Sequence, residues 1–277
     1  MSEPGYAVAF WMNSTRLRPH SDRPNADFGR SPGRIQTVWE ELRMFDRNSR
    51  FLLLVYLFVP FFAPLAVAQE ARLPDGFVYV DEVLPGVSVE LRYHTERNFV
   101  GTPIDGYGGA RCILTREAAE ALKGVQEDLK PFGLGLKIYD GYRPQRAVNH
   151  FVRWAQDLSD TRMKQEFYPN VEKADLFKEG YIAEKSSHSR GSTVDLTIVP
   201  LEAAESGAEL DMGGAFDFFG PESWPDWPLL TPSRRAHRML LQTLMRNHGF
   251  QPYSKEWWHF TLKNEPYPGT VFDFPVQ

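Results

Sequence analysis

His188 lies in SSHSRGSTVD (186–195) and His259 in EWWHF (256–260), and each histidine has an acid nearby, Asp195 after the first and Glu256 before the second. Imidazole and carboxylate are the donors of a hydrolytic zinc site, where three protein ligands leave the fourth tetrahedral position for water. His188, Asp195 and His259 make such a set. Asp195 needs a reason to stand inside VDLTIV, because a carboxylate buried in a strand is costly unless it is paired or bound to a metal. Glu256 would then work on the water. Zinc lowers the pKa of water from about 15.7 to about 7, and a neighbouring carboxylate can take its proton and later deliver it to a leaving amine. On a regular strand Glu256 would face away from His259, so a bend at the start of the strand has to bring it round.

Attack on an amide also places negative charge on the carbonyl oxygen, which calls for a fixed donor or cation. Arg143 in DGYRP is the candidate, mounted between the end of a strand and Pro144. Each residue also has a plainer reading. Arg143 could cap carbonyls, His188 could be a polar loop residue, Asp195 could bond backbone amides, and His259 could be a satisfied core histidine. Taken singly, the plainer readings win; together they leave two isolated histidines and a strand-interior acid without a reason. Cys112 is the sole cysteine, which excludes an internal disulfide and a cysteine zinc cage, so a metal must rest on histidine and carboxylate. His94, His150, His237 and His248 have no comparable setting.

The elements that must hold these residues can be read from hydrophobic period. FVYVDEV and VSVELRY alternate as short strands, and a loop containing glycine and proline follows them. TREAAEALKGVQEDLK is a helix with Thr115 as N-cap, Ala118, Leu122, Val125 and Leu129 on one face, and Pro131 and Gly133 as stops. LGLKIY is a strand running into DGYRP, and PQRAVNHFVRWAQD starts a second helix with Pro144 in its first turn. In STVDLTIV, Val194, Leu196 and Ile198 share one face while Thr193, Asp195 and Thr197 share the other. TPSRRAHRMLLQTLMRNHGF is a third helix stopped at Gly249, and WWHFTL is the last strand. The pattern predicts an α+β fold with a mainly antiparallel central sheet flanked by helices.

With 277 residues, 42% of them hydrophobic, and a formal charge of -5, the chain reads as globular and not as a binder of nucleic acid. FLLLVYLFVPFFAPLAVA (51–68) follows Arg47 and Arg50 and closes on Ala66-Val67-Ala68, the pattern of a signal peptide cleaved after Ala68. Pro60, Pro64 and the short run argue against a membrane span, and no cysteine follows the cleavage point to take a lipid. Residues 1–50, rich in Arg, Pro, Ser and Asn, read as a disordered or spurious extension, and a start at Met44 would give the signal its usual proportions. The folded domain is expected over 69–277, exported to the periplasm or beyond, without a stable membrane anchor after cleavage.

SSHSRGSTVDLT, DGYRPQRAVN, FDF, EWWHF and the closing EPYPGTVFDFPV, in that order, resemble the D-alanyl-D-alanine dipeptidases, the family that includes the vancomycin-resistance dipeptidase, within the zinc D,D-peptidases. The resemblance runs from about residue 77 to the end. It implies a zinc D,D-peptidase/Hedgehog-like fold and one Zn2+ per chain on His188, Asp195 and His259. It also implies Glu256 as general base and then acid, and Arg143 polarising the scissile carbonyl or stabilising its oxyanion. Asp217 in GAFDF would meet the free ammonium of the substrate, while Ser186, Tyr93 and Tyr107 would line a small pocket. The implied reaction is hydrolysis of D-Ala-D-Ala to two D-alanines. A carboxypeptidase or endopeptidase acting on peptidoglycan stem peptides is the nearest alternative, and Asp217 speaks against it. A non-catalytic zinc module is another, and Glu256 with Arg143 speaks against that. The dipeptidases resembled are cytoplasmic, so an export signal sets this chain apart from them.

Overall fold

The computed structural model describes residues 72–202 and 208–277. The extension expected over 1–50 and the signal peptide expected over 51–68 lie outside the described residues. In chain order the elements are β1 (Phe77–Tyr79), α1 (Val80–Val83), β2 (Ser88–Val89), β3 (Ile113–Thr115), α2 (Arg116–Leu129), β4 (Leu134–Asp140), α3 (Gln145–Gln156), α4 (Lys164–Phe167), β5 (Thr193–Pro200), α5 (Pro232–Asn247), β6 (Phe250–Tyr253) and β7 (Glu256–Leu262). No helix among the described residues is long and apolar enough to cross a membrane.

Strands β1 and β3 form a small antiparallel pair, and the central sheet has the order β2-β4-β5-β7-β6. Helices and strands are mixed as expected, but the central sheet is mixed and not the mainly antiparallel sheet anticipated. Strand β2 runs parallel to β4, while β4 with β5, β5 with β7, and β6 with β7 run antiparallel. The parallel pair has a physical cause. Helix α2 lies between β2 and β4 in the chain, and such a crossover returns the chain in the direction it left.

Two expected strands are cut short. FVYVDEV leaves strand geometry after Tyr79, where the Val80 amide donates to the Cys112 carbonyl and Asp81 and Glu82 turn outward to Arg111. VSVELRY pairs only at Ser88–Val89. Beyond that point Glu90 turns to Lys137, Arg92 and Arg97, and the chain winds into a 3-10 turn at Arg92–His94 that buries Tyr93. Strands β3 and β6 and the short α4 were not anticipated.

The long helices follow their sequences. Thr115 Oγ1 accepts the Ala118 amide at the start of α2, and Ala118, Leu122, Val125 and Leu129 are fully buried. Burying a Leu or Val of this kind is worth about 1.5–3 kcal/mol. Gln126 Oε1 accepts the Leu136 amide at 2.8 Å, tying α2 to β4. Thr231 caps α5 by accepting the Arg234 amide, and Gly249, at φ +86°, turns the chain out of that helix into β6. Pro144 stands at the N-cap of α3, just ahead of its first turn.

One row of the sheet sets up the site. Asp140 on β4 stands opposite Asp195 on β5, which stands opposite His259 on β7. Opposed residues in antiparallel strands point to the same face, so the three side chains lie side by side. A shift in register between Ile138 and Asp140 makes this possible. Without that extra residue Tyr139 would oppose Asp195 and Asp140 would point to the other face.

Candidate metal and catalytic site

His188 sits in a 3-10 turn, Ser187–Arg190, that leads into β5. Ser186 caps the turn, its Oγ accepting the His188 amide at 3.2 Å, and Gly191 closes it at φ +85°. Only glycine serves at 191, because a Cβ would also collide with the ring of Phe77. The turn directs the imidazole over the sheet row. His188 Nε2 lies 3.3 Å from Asp195 Oδ1 and 3.3 Å from His259 Nδ1, and His259 Nδ1 lies 3.1 Å from Asp195 Oδ1.

That triangle can be tested against a metal. Four donors about 2.0–2.1 Å from a tetrahedral zinc stand about 3.3 Å from one another. The three donor atoms already have the dimensions of one tetrahedral face. Tautomers agree with this. His188 Nδ1 is 2.7 Å from the Gly141 carbonyl, which only accepts, so that nitrogen carries the proton and Nε2 turns a lone pair inward. His259 turns Nδ1 to the centre and Nε2 to Ser187 Oγ at 3.4 Å. Asp195 Oδ1 is buried without a hydrogen bond of good geometry, an acceptor left for a cation. Burial works against the charge of Asp195, but His188 and then His259 outweigh it and hold its carboxyl below the usual carboxylate range. The donor set therefore fits a divalent metal that accepts imidazole and carboxylate.

Glu256 stands beside this triangle and not in it. Its Oε2 comes within 3.4 Å of His259 Nδ1. The bend anticipated at the start of the strand exists as a register shift between β6 and β7 at Pro252 and Tyr253, where Tyr253 pairs with Glu256 itself. Burial pushes the Glu256 carboxyl up, and its neighbour Asp195 adds to this against the pull of His259. A carboxylate tuned upward is better matched to exchanging protons near neutral pH.

Arg143 leaves the end of β4 and turns back over the sheet. Its Nε and Nη2 both reach Asp140 Oδ2 at 2.9 Å, and Nη2 is 3.6 Å from Asp195 Oδ2. The guanidinium also lies over the rings of Tyr93 and Phe151, at 4.9 and 5.3 Å from their centroids. Asp140 was not singled out in the sequence, yet it is wholly buried and touches the back of the site twice, holding Arg143 and lying 3.5 Å from His188 Nδ1. The reasoning that drew attention to Asp195, a carboxylate in a buried strand, applies equally to LGLKIYD.

Tyr107 does not take the place expected of it. Its hydroxyl donates to Asp140 Oδ1 at 2.6 Å, so it supports Arg143 from behind and is not among the residues that line the cavity. A cavity of about 540 Å3 opens over the row, with Arg143, Tyr93, Ser186, Asp217, Glu256 and His259 in its walls. Asp217 stands in a turn at φ +61° and is 6% exposed. Its Oδ2 accepts from the Tyr93 hydroxyl at 2.9 Å. Burial, and then the charge of Asp195, push the Asp217 carboxyl well above its ordinary value despite Arg143 and Tyr93. Asp217 thus holds the Tyr93 hydroxyl and faces the same space as the donor triangle.

Comparisons with known proteins give the chain its family. The family model Peptidase_M15, described as D-ala-D-ala dipeptidase, matches residues 74–277. A D-alanyl-D-alanine dipeptidase of Streptomyces coelicolor is 44% identical over 204 residues, which cover 74% of this chain and 100% of that protein. Enzymes of the same description from Enterococcus faecium and Enterococcus faecalis are 42% and 43% identical, covering 73% and 74% of this chain and 98% and 100% of theirs. The chain belongs to the D-Ala-D-Ala dipeptidase family of M15 peptidases.

Proposed function

We propose that this chain is a zinc-dependent dipeptidase that hydrolyses D-Ala-D-Ala to two D-alanines. The observation that carries the reading is the placing of a buried carboxylate, Asp217, in the same cavity as a donor triangle of tetrahedral size. His188, Asp195 and His259 would hold the metal, which would supply Lewis acidity and lower the pKa of a water molecule to about 7. Glu256 Oε2 takes a proton from the attacking water and returns it to the leaving amine. Arg143 presents a fixed cation to the oxygen of the scissile carbonyl, held in place by Asp140. Asp217, with the Tyr93 hydroxyl, binds the ammonium of a free dipeptide. Ser186 lines the cavity while its hydroxyl fixes the turn that bears His188.

Asp217 separates this reading from a carboxypeptidase or endopeptidase of stem peptides, whose substrates carry an acylated nitrogen. A buried carboxylate facing a neutral amide would gain no counter-charge from it. The purified mature domain should therefore cleave D-Ala-D-Ala with a kcat/KM at least about 10²-fold above that for N-acetyl-D-Ala-D-Ala. Preference for the blocked peptide would establish the carboxypeptidase reading in its place. A non-catalytic zinc module would turn over neither.

Export belongs to the same proposal, supported by FLLLVYLFVPFFAPLAVA and its Ala66-Val67-Ala68 ending. An exported dipeptidase would meet D-Ala-D-Ala released from the cell wall and would not reach a cytoplasmic precursor pool. Mass spectrometry of the protein recovered from the producing cell should find Gln69 at its N-terminus. Recovery of the activity in the cytoplasm with residues 51–68 still attached would sink this part, and a precursor carrying residues ahead of Met44 would rule out the later start.

A further inference from the structure

The loop that carries Asp217 is gripped from behind by a guanidinium that touches no acid. Arg238 on α5 is 1% exposed. Its Nε donates to the Met212 carbonyl at 2.6 Å, Nη1 to the Trp224 carbonyl at 2.6 Å and Nη2 to the Glu222 carbonyl at 2.7 Å. No carboxylate lies within ion-pair distance of it among the described residues. Burial and the neighbouring Arg234 and Arg235 push its pKa down to about 10, and it stays charged at neutral pH. Met212 precedes Asp217 in the chain, and Glu222 and Trp224 follow it. One rigid fork thus ties together the two ends of the loop.

Two further observations say that this loop needs holding. Asp217 is the one non-glycine residue with positive φ among the described residues, a left-handed conformation that the surrounding structure has to impose. Helix α5 also carries arginine where its dipole disfavours it. Arg234 and Arg235 stand near its N-terminus with no acid in the first turn. All of them reach the same loop: Arg234 Nε donates to Asp211 Oδ2 at 2.9 Å, and Arg235 Nη2 donates to the Trp227 and Pro228 carbonyls at 3.4 and 3.3 Å. Between these ties Phe216 stacks on Tyr139 and Phe219 on Tyr181, which leaves Asp217 between two aromatic anchors.

We infer that Arg238 is a positioning residue for recognition of the substrate's amino terminus, acting through Asp217 from outside the cavity. The inference rests on Asp217 as the ammonium receptor. Lysine at 238 keeps the charge and most of the volume but cannot fork to three carbonyls. R238K should raise KM for D-Ala-D-Ala about tenfold with kcat changed far less, because the misplaced group acts in binding and not on the reacting atoms. Metal content should remain at the wild-type level.

A double-mutant cycle with D217N separates this role from a merely structural one. If Arg238 works through Asp217, R238K adds almost nothing to the KM of D217N; a simple loss of stability would add its full effect in either background. An unchanged KM in R238K, or full additivity, overturns the inference while D217N alone still raises KM. An unchanged KM in D217N overturns the reading of Asp217, and the inference falls with it. Should R238K not fold, R234Q at the half-exposed tie to Asp211 carries the same cycle with a smaller expected rise.

Discussion

Replacement of Glu256 by glutamine should lower kcat for D-Ala-D-Ala by about 10³-fold and leave the zinc content of the purified protein unchanged. The amide keeps the volume of the side chain and its approach to His259, where the carboxylate now stands at 3.4 Å. It cannot accept a proton from water or return one to the leaving amine. KM should move little, since Glu256 contributes a group that acts as bonds change and not a contact for either end of the dipeptide. Metal content is the decisive companion measurement, because the three atoms that define the donor triangle are those of His188, Asp195 and His259. Turnover at the wild-type rate with zinc bound would remove Glu256 from the mechanism. Loss of zinc together with activity would make it a fourth ligand in place of a base.

The residues that sequence reasoning found are those whose setting is local. Asp195 in VDLTIV and His259 in WWHFTL stand out because a polar group inside a strand must find a partner, and the register of β5 with β7 places them opposite each other. Asp140 escaped for a local reason too. The strand reads as LGLKIY, one residue short of it, and the register shift that brings it beside Asp195 leaves no trace in a one-strand pattern. Tyr107 was named but misplaced, because its partner Asp140 lies 33 residues on in β4 and its own loop follows the C-terminal segment: the amides of Gly108 and Gly109 both donate to the Val276 carbonyl.

The same division holds for the fold. Periodicity located α2, α3, α5 and the three strands of the site, since each has a buried face of its own. It overextended FVYVDEV and VSVELRY, where alternation was satisfied but no partner strand was present along the full length. Arg238 offered a signal that could have been read. It shares the buried stripe of α5 with Leu241 and Met245, and an arginine on an apolar stripe must spend its donors on something nearby.

Stripping the metal with a chelator should abolish turnover and lower the melting temperature, with zinc restoring both. A ligand that binds only the folded state at a concentration of about 1,000 times its Kd stabilises by about 4.1 kcal/mol, so the expected fall for a domain of this size is about 8–16 °C. Asp195→Asn tests the cause. The amide is neutral, and with one of three ligands weakened the variant should be purified without metal, inactive, and indifferent to chelator in its melting temperature. It should melt near the chelated wild type and not near the loaded protein. Without metal, the attraction of Asp195 to His188 and His259 is set against the cost of burying a carboxylate that is 2% exposed with Oδ1 lacking a good hydrogen bond, and asparagine sheds that cost together with the attraction. If D195N binds zinc as tightly as the wild type, or if the chelated protein keeps its activity, the donor triangle is not the metal site. If D195N loses zinc but melts well below the chelated wild type, Asp195 also holds the fold by its pairing with the two imidazoles, and the tetrahedral dimensions of the triangle would owe as much to that pairing as to a metal.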